Sequence, residues 1–275
     1  MDWLKKLFGK SKTGKAAPAP KLVSPKVLPS ASDTESIPEA DPAKFVLTRS
    51  VDDPLYEATF EARDNYWKNI GEIDEDVIAH VISPQFMGAP HWPTTRQAYK
   101  IIRTETSLII ASDGLSDPFT DAAEHEVNFS GFSSEVFIES SELVGATFDD
   151  IKKSWQFEAV EIWSRNVANY GGINANLEKY PVMSIELPIH SLPEDWKNEN
   201  GNVGFLVNCK MSNREYEFSN SPLSSIKLIS LTAIKPDELK FVIEGGQKGR
   251  DTLAEVLTKK GLTDMNHSDR QTVLE

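Results

Sequence analysis

A chain of 275 residues with 39% hydrophobic and 26% charged side chains has ordinary globular composition, long enough for one large domain or two small lobes. Its formal charge of −13 argues against a broad nucleic-acid footprint, because an acidic surface repels phosphates and forgoes the counterion release that drives such binding. Cys209 is the single cysteine, which leaves no intrachain disulfide, and no run approaches the roughly 20 apolar residues of a membrane helix. A soluble, cytoplasmic protein is expected.

Residues 1–12 begin "MDWLKKLFGK", in which Trp3, Leu4, Leu7 and Phe8 share one helical face beside Lys5, Lys6 and Lys10. This short basic amphipathic leader offers a weak membrane or partner contact. Seven lysines against Asp2 give residues 1–26 a charge of +6 and leave −19 for the remainder. Residues 13–44 are rich in Pro, Ala and Ser, and their prolines forbid a continuous helix, so a disordered linker is expected. The folded domain is expected over 45–262.

Across 55–70 the positions Tyr56, Phe60, Arg63 by its stem, Trp67 and Ile70 recur every three or four residues, which predicts an amphipathic helix stopped at Gly71. After the acidic patch Glu72, Asp74, Glu75 and Asp76, read as solvated surface, "VIAHVISPQF" predicts a strand or short helix and then a loop. "YKIIRTET" and "SLIIASDG" read as paired strands, 136–139 as another, and "YPVMSIELPI" as one that Pro181 and Pro188 confine to its span or to a sheet edge. Trp155, Ala159, Ile162, Trp163 and Val167 line a second helix that ends at Gly171 and Gly172. "NVGFLVNCK" and "IKLISLTAI" supply two more strands. Pro236, Asp237 and Glu238 open a helix closed by Gly245 and Gly246, and a last helix covers about 251–260. Residues 263–275 read as a flexible tail. The pattern predicts a mixed α+β fold, with a mostly antiparallel or mixed sheet flanked by helices.

The apolar run "SLIIASDGLSDPF" breaks into a polar turn that holds Ser112, Asp113, Ser116 and Asp117 around one glycine. A serine hydrolase would need a nucleophile in a glycine-flanked pattern with a base and an orienting acid. Ser112 or Ser116 could serve only by meeting a histidine such as His91 or His125 in space. Serines and aspartates satisfying turn amides are the simpler reading. None of the histidines at 80, 91, 125, 190 and 267 has a partner at metal-ligand spacing, and the glycines at 245, 246 and 249 do not make a phosphate loop. No metal and no cofactor are therefore expected. Aromatics beside rigid loops, in "APHWP" with His91 and Trp92 and in "PEDW" with Trp196, are the residue type that anchors protein interfaces, although core packing against a sheet is the plainer reading of each.

The same stretch "SLIIASDGLSDPF" resembles the turn of the suppressor-of-fused domain family, with Asp113 inserted between Ser112 and Gly114 and Leu115 at the methionine position. "SSEVFIESSEL", the Trp155 helix ending at Tyr170 and Gly171, and "IKLISLTAIKPDELKFVIEGG" resemble later family elements in the same order. The resemblance covers roughly 55–261 and departs from the family at Asp113 and across 233–235. It implies a suppressor-of-fused-like α/β domain that binds another protein without catalysis, and the bacterial members it resembles look like immunity proteins that neutralise toxins. The expected partner is then a protein, a basic toxin being the case that suits the acidic charge. The partner-facing residues would be His91, Trp92, Asp113, Ser116, Asp117 and Trp196. Two other classes compete: a serine-type hydrolase built on Ser112 or Ser116, and a peripheral membrane adaptor docking through Trp3, Leu4, Leu7 and Phe8.

Overall fold

The computed structural model describes residues 53–120, 129–211, 213–263 and 265–274. The leader with Trp3, Leu4, Leu7 and Phe8, the linker, and His125 lie outside the described residues.

The first helix, α1 (Pro54–Lys68), starts where the Asp53 carboxylate accepts the Leu55 amide at 2.8 Å and proline occupies the first turn. Its buried face is Thr59, Ala62, Arg63 and Trp67, the three-and-four spacing read from the sequence. The next segment forms two short strands, β1 (Glu72–Ile73) and β2 (Ile78–Ala79), followed by a 3₁₀ turn over Pro84–Met87 that ends on left-handed Gly88. Asp74 of the acidic patch is held by Arg103 through two bonds, Nε to Oδ1 at 2.7 Å and the second guanidinium nitrogen to Oδ2 at 2.9 Å. That carboxylate is a structural partner, while Glu72, Glu75 and Asp76 face solvent.

Strands β3 (Ala98–Arg103) and β4 (Leu108–Asp113) form the expected antiparallel pair, with Ile101 opposite Ile110, and β5 (Ser134–Ser140) continues the sheet. Helices α2 (Phe148–Lys152) and α3 (Trp155–Asn169) follow, the latter capped by the Ser154 hydroxyl. Next come α4 (Asn174–Lys179), β6 (Met183–Leu187), β7 (Val203–Val207), β8 (Glu217–Phe218) and β9 (Ile226–Ile234). The long helix α5 (Pro236–Lys259) is interrupted at Gly246, whose φ of 56° breaks it where the sequence predicts one helix closing and another following. A short strand, β10 (Met265–Asn266), completes the chain.

The ten strands make one mixed sheet in the order β1-β3-β4-β5-β9-β7-β6, with β2 beside β3, β8 beside β9 and β10 beside β5. The predicted α+β class is thus observed, and the strand between Pro181 and Pro188 lies at the sheet edge. Alternation along β3 and β4 sends Ile101 and Ile110 toward α3, with Trp155, Ala159, Val160 and Trp163, and Ile102 and Ile109 toward α1, with Ala62 and Trp67. Helices on both faces explain why these strands read as unbroken apolar runs.

The expectation of a flexible tail does not hold. Strands β5 and β9 pair in parallel only from Ser134 opposite Lys227 to Phe137 opposite Ser230, after which β9 turns its hydrogen bonding to β7. β10 fills the opening, pairing Met265 and Asn266 with Glu139 and Ser140. Beyond it Arg270 donates to both Glu238 oxygens at 2.8 and 2.6 Å, and Val273 is buried against α5. The tail is attached by these hydrogen bonds together with the apolar contacts of Val273 and Leu274.

Candidate functional site

The polar turn sits where α1 crosses the ends of β3, β4 and β5. Residues 100, 113 and 135 share the strand parity of Ile102, Ala111 and Phe137, so Lys100, Asp113 and Glu135 project toward α1. From the helix, Arg63 enters this layer whole. Its guanidinium, and not only its stem, is fully buried.

Arg63 distributes its donors over three carboxylates and a hydroxyl: Nε to Asp113 Oδ1 at 2.7 Å, Nη1 to Ser116 Oγ at 2.8 Å and Nη2 to Asp117 Oδ1 at 2.8 Å, with Glu135 Oε1 3.3 Å from Nη1. Arg96 also pairs with Asp113, and Lys100 lies 3.3 Å from the same carboxylate while pairing with Asp64. The three cations gather around the ring of Phe60, with Lys100 Nζ 4.1 Å, Arg96 4.9 Å and Arg63 5.8 Å from its centroid. Glu135 caps the turn: Oε1 accepts the amides of Gly114 at 3.1 Å and Ser116 at 3.0 Å and the Ser116 hydroxyl at 2.6 Å, and Oε2 accepts the Ser112 hydroxyl.

Charge and burial set the titration of these groups. Burial alone would raise Asp113, but Arg63, Arg96 and Lys100 outweigh it and hold the carboxyl below the usual range. Glu135 goes the other way: burial pushes it up, Asp113 adds to the rise, and Arg63 with the two serine hydroxyls only partly opposes it. The sign of each follows from linkage. Asp113, depressed in the fold, contributes stability above its unfolded value, which is lost as pH falls through its folded value. Glu135, raised in the fold, binds its proton first in the native state, so its contribution grows as pH falls from neutral toward about 4.5. Chemical denaturation across this range is expected to show stability from this site highest on the mildly acidic side of neutrality and collapsing below about pH 4. A Glu135→Gln variant removes the acid-side gain and leaves the low-pH collapse.

Two glycines make the corner possible. At Gly114, φ is 148°, and a Cβ would stand 2.8 Å from the Arg96 carbonyl. Gly131, at φ 49°, lies against the turn, where a Cβ would come within 2.5 Å of the Asp117 carbonyl. Gly131→Ala therefore combines backbone strain with a clash and is expected to cost about 2 kcal/mol or more, read as a lowered denaturation midpoint with unchanged m-value.

The arrangement answers the hydrolase expectation. Ser112 and Ser116 donate to Glu135, Arg63 further occupies Ser116, and both serines have no exposed surface, so no substrate reaches either oxygen. Among the described residues no histidine bonds to either serine, and His80, His91 and His190 lie at the surface. The partner-facing expectation is also corrected for five of its six residues. Asp113, Ser116 and Asp117 are interior groups consumed by Arg63. Trp92 is buried edge-on to Tyr99 at 6.0 Å. Trp196 is buried between Lys235 at 4.1 Å and Arg270 at 5.2 Å, with its indole N–H donated to the Ser268 carbonyl at 2.8 Å. Large rings beside rigid loops found more area inside the fold than outside it. Of the six, only His91 is exposed.

Surface features that the sequence reading passed over lie elsewhere. Among the described residues, five of the nine exposed large apolar side chains fall within 77–87: Val77, Val81, Ile82, Phe86 and Met87. The signal available in sequence was "VIAHVISPQF", read as a strand or short helix and then a loop; only Ile78 and Ala79 of it pair, with β3. No helix among the described residues is long and apolar enough to cross a membrane.

No protein-family model and no curated protein matches the chain. Among solved structures it is similar, at 14% identity and a TM-score of 0.49, to the crystal structure of a Sufu–Fu complex, covering 80% of this chain and 92% of that one. It is also similar to the crystal structure of Drosophila Suppressor of Fused, at 12% identity and a TM-score of 0.42, again over 80% of this chain. There the chain spans about half the length, 51%, of its counterpart. Both bear the name of the family that the turn resembles in sequence.

Proposed function

We propose that the chain is a non-catalytic protein-binding domain of the suppressor-of-fused type that masks a basic protein, acting in the cytoplasm as an immunity protein does against a toxin. The observation that carries this reading is the charge distribution: −19 after residue 26, most of it on a domain whose polar, reactive-looking turn is consumed internally by Arg63. An acidic surface of this kind favours a cationic protein partner and speeds its capture, at a rate that falls with salt. The turn's resemblance to the family supports the binding role. Co-expression with the product of the neighbouring gene tests the proposal. Rescue of growth, and a complex that forms at low ionic strength and weakens as salt rises, are the expected results. Absence of both overturns it.

A further inference from the structure

The segment between β1 and β3 combines two features. It is apolar at the surface: Ile82 is 62% exposed, Phe86 71% and Met87 78%, and Val81 is fully out. It is also acidic: Asp74 is paired with Arg103, but Glu72, Glu75 and Asp76 face solvent, and residues 71–95 contain not one lysine or arginine. Exposed large apolar side chains in such a cluster mark contact surfaces, because water leaves them at a gain of roughly 25 cal/mol per Å². The segment is also braced. Pro84 is buried, the Gly88 amide donates to the Gln85 carbonyl at 3.1 Å, Ala89 donates to Pro84 at 3.1 Å, and His80 sits 3.5 Å from Glu161 of α3. A braced apolar loop loses less entropy on docking than a free one.

We propose that residues 77–87 form the partner-docking surface of this domain, and that the partner presents an apolar face bordered by lysine or arginine, as a cationic amphipathic helix does. This rests on the protein-binding reading above and adds its location and chemistry. The charge decides between occupants. Glu75 and Asp76, both exposed and directly preceding the apolar segment in the chain, repel an anionic bilayer and complement a basic rim.

The test uses the full chain and two synthetic probes, an amphipathic helix of leucine and lysine and its leucine–glutamate counterpart, with binding followed by calorimetry. The expected result is that the lysine helix binds and the glutamate helix does not. The double variant Phe86→Ser with Met87→Ser, which leaves the charge untouched, should bind the lysine helix about tenfold more weakly. Ile243→Ser, which removes an exposed apolar side chain from α5, should bind it as the unmodified chain does. Thermal melts check that both variants fold, as replacement of surface side chains predicts. No binding of the lysine helix, or equal binding by the double variant, overturns the proposal. So does capture of phosphatidylcholine vesicles that the double variant loses, since lipid is then the occupant. If the neighbouring gene product binds the double variant undiminished, the docking surface fails while the protein-binding reading stands. If that product never binds but the probes behave as expected, the reverse holds.

Discussion

Replacing Arg63 by methionine is expected to remove about 3–5 kcal/mol of stability, a large fraction of the roughly 5–15 kcal/mol a folded protein holds. The loss comes from what the substitution leaves behind. Asp113, Asp117 and Glu135 all have no exposed surface, and without the guanidinium they are three carboxylates in a dry interior with Arg96 and Lys100 in reach of only the first by direct pairing. Arg63→Lys should rescue little, because a single ammonium cannot address three acceptors that the planar fork meets at 2.7 to 2.8 Å. The pH response identifies the cause. Orphaned carboxylates are relieved by protonation, so the methionine variant should gain more stability between pH 7 and about pH 5 than the unmodified chain does. Urea denaturation followed by tryptophan fluorescence at the two pH values measures this. A loss under about 1 kcal/mol, of the size that surface ion pairs give, would mean that Arg63 does not sit where it is described.

The second large effect is expected at Asn266. Its side chain donates to the carbonyls of Glu139 and Leu231, each at 3.0 Å, and accepts the Ala233 amide at 2.8 Å, joining β5 and β9 where they part. Asn266→Ala leaves those three buried backbone groups without their partner and is expected to cost about 3 kcal/mol. Asn266→Asp should fare no better despite its equal size. A carboxylate cannot donate to the two carbonyls and would be buried beside Glu139. Hydrogen exchange provides the measurement: the Ala233 amide, protected in the unmodified chain, should exchange by local opening in the alanine variant. Unchanged protection would show that the tail is incidental to the sheet.

The unequal legibility of the fold has physical causes. Elements that bury an apolar face were readable, because burial imposes a period: the face of α1 through Trp67, the face of α3 through Trp155, Ala159 and Trp163, and the paired runs of β3 and β4. Pro181 and Pro188 marked the edge strand because a central strand needs the amides they lack. The tail was missed because Asn266, Arg270 and Val273 bind through residues distant in sequence, for which no local period exists. The polar turn was read as a structural corner whose carboxylates either cap backbone amides or face a partner, and the groups that in fact satisfy it were not found. Glu135 caps the amides from another strand, and Arg63 was assigned only a buried stem. An arginine set four residues from Thr59 and from Trp67 on the buried stripe of α1 was the available sign. Trp92 and Trp196 were offered to an interface by their loop neighbours but are buried, whereas Phe86, in the run read as a strand or short helix and then a loop, is 71% exposed.

The proposed function is capture of a basic protein by this acidic domain. The most direct measurement is the association rate of the purified chain with the neighbouring gene product, by stopped flow, as ionic strength rises from about 0.01 M to about 1 M and the screening length contracts from about 30 Å to about 3 Å. The account predicts a stoichiometric complex whose association slows by at least about tenfold across that range, with dissociation changing far less. A rate indifferent to salt, or a partner that is chemically altered and released, would contradict it.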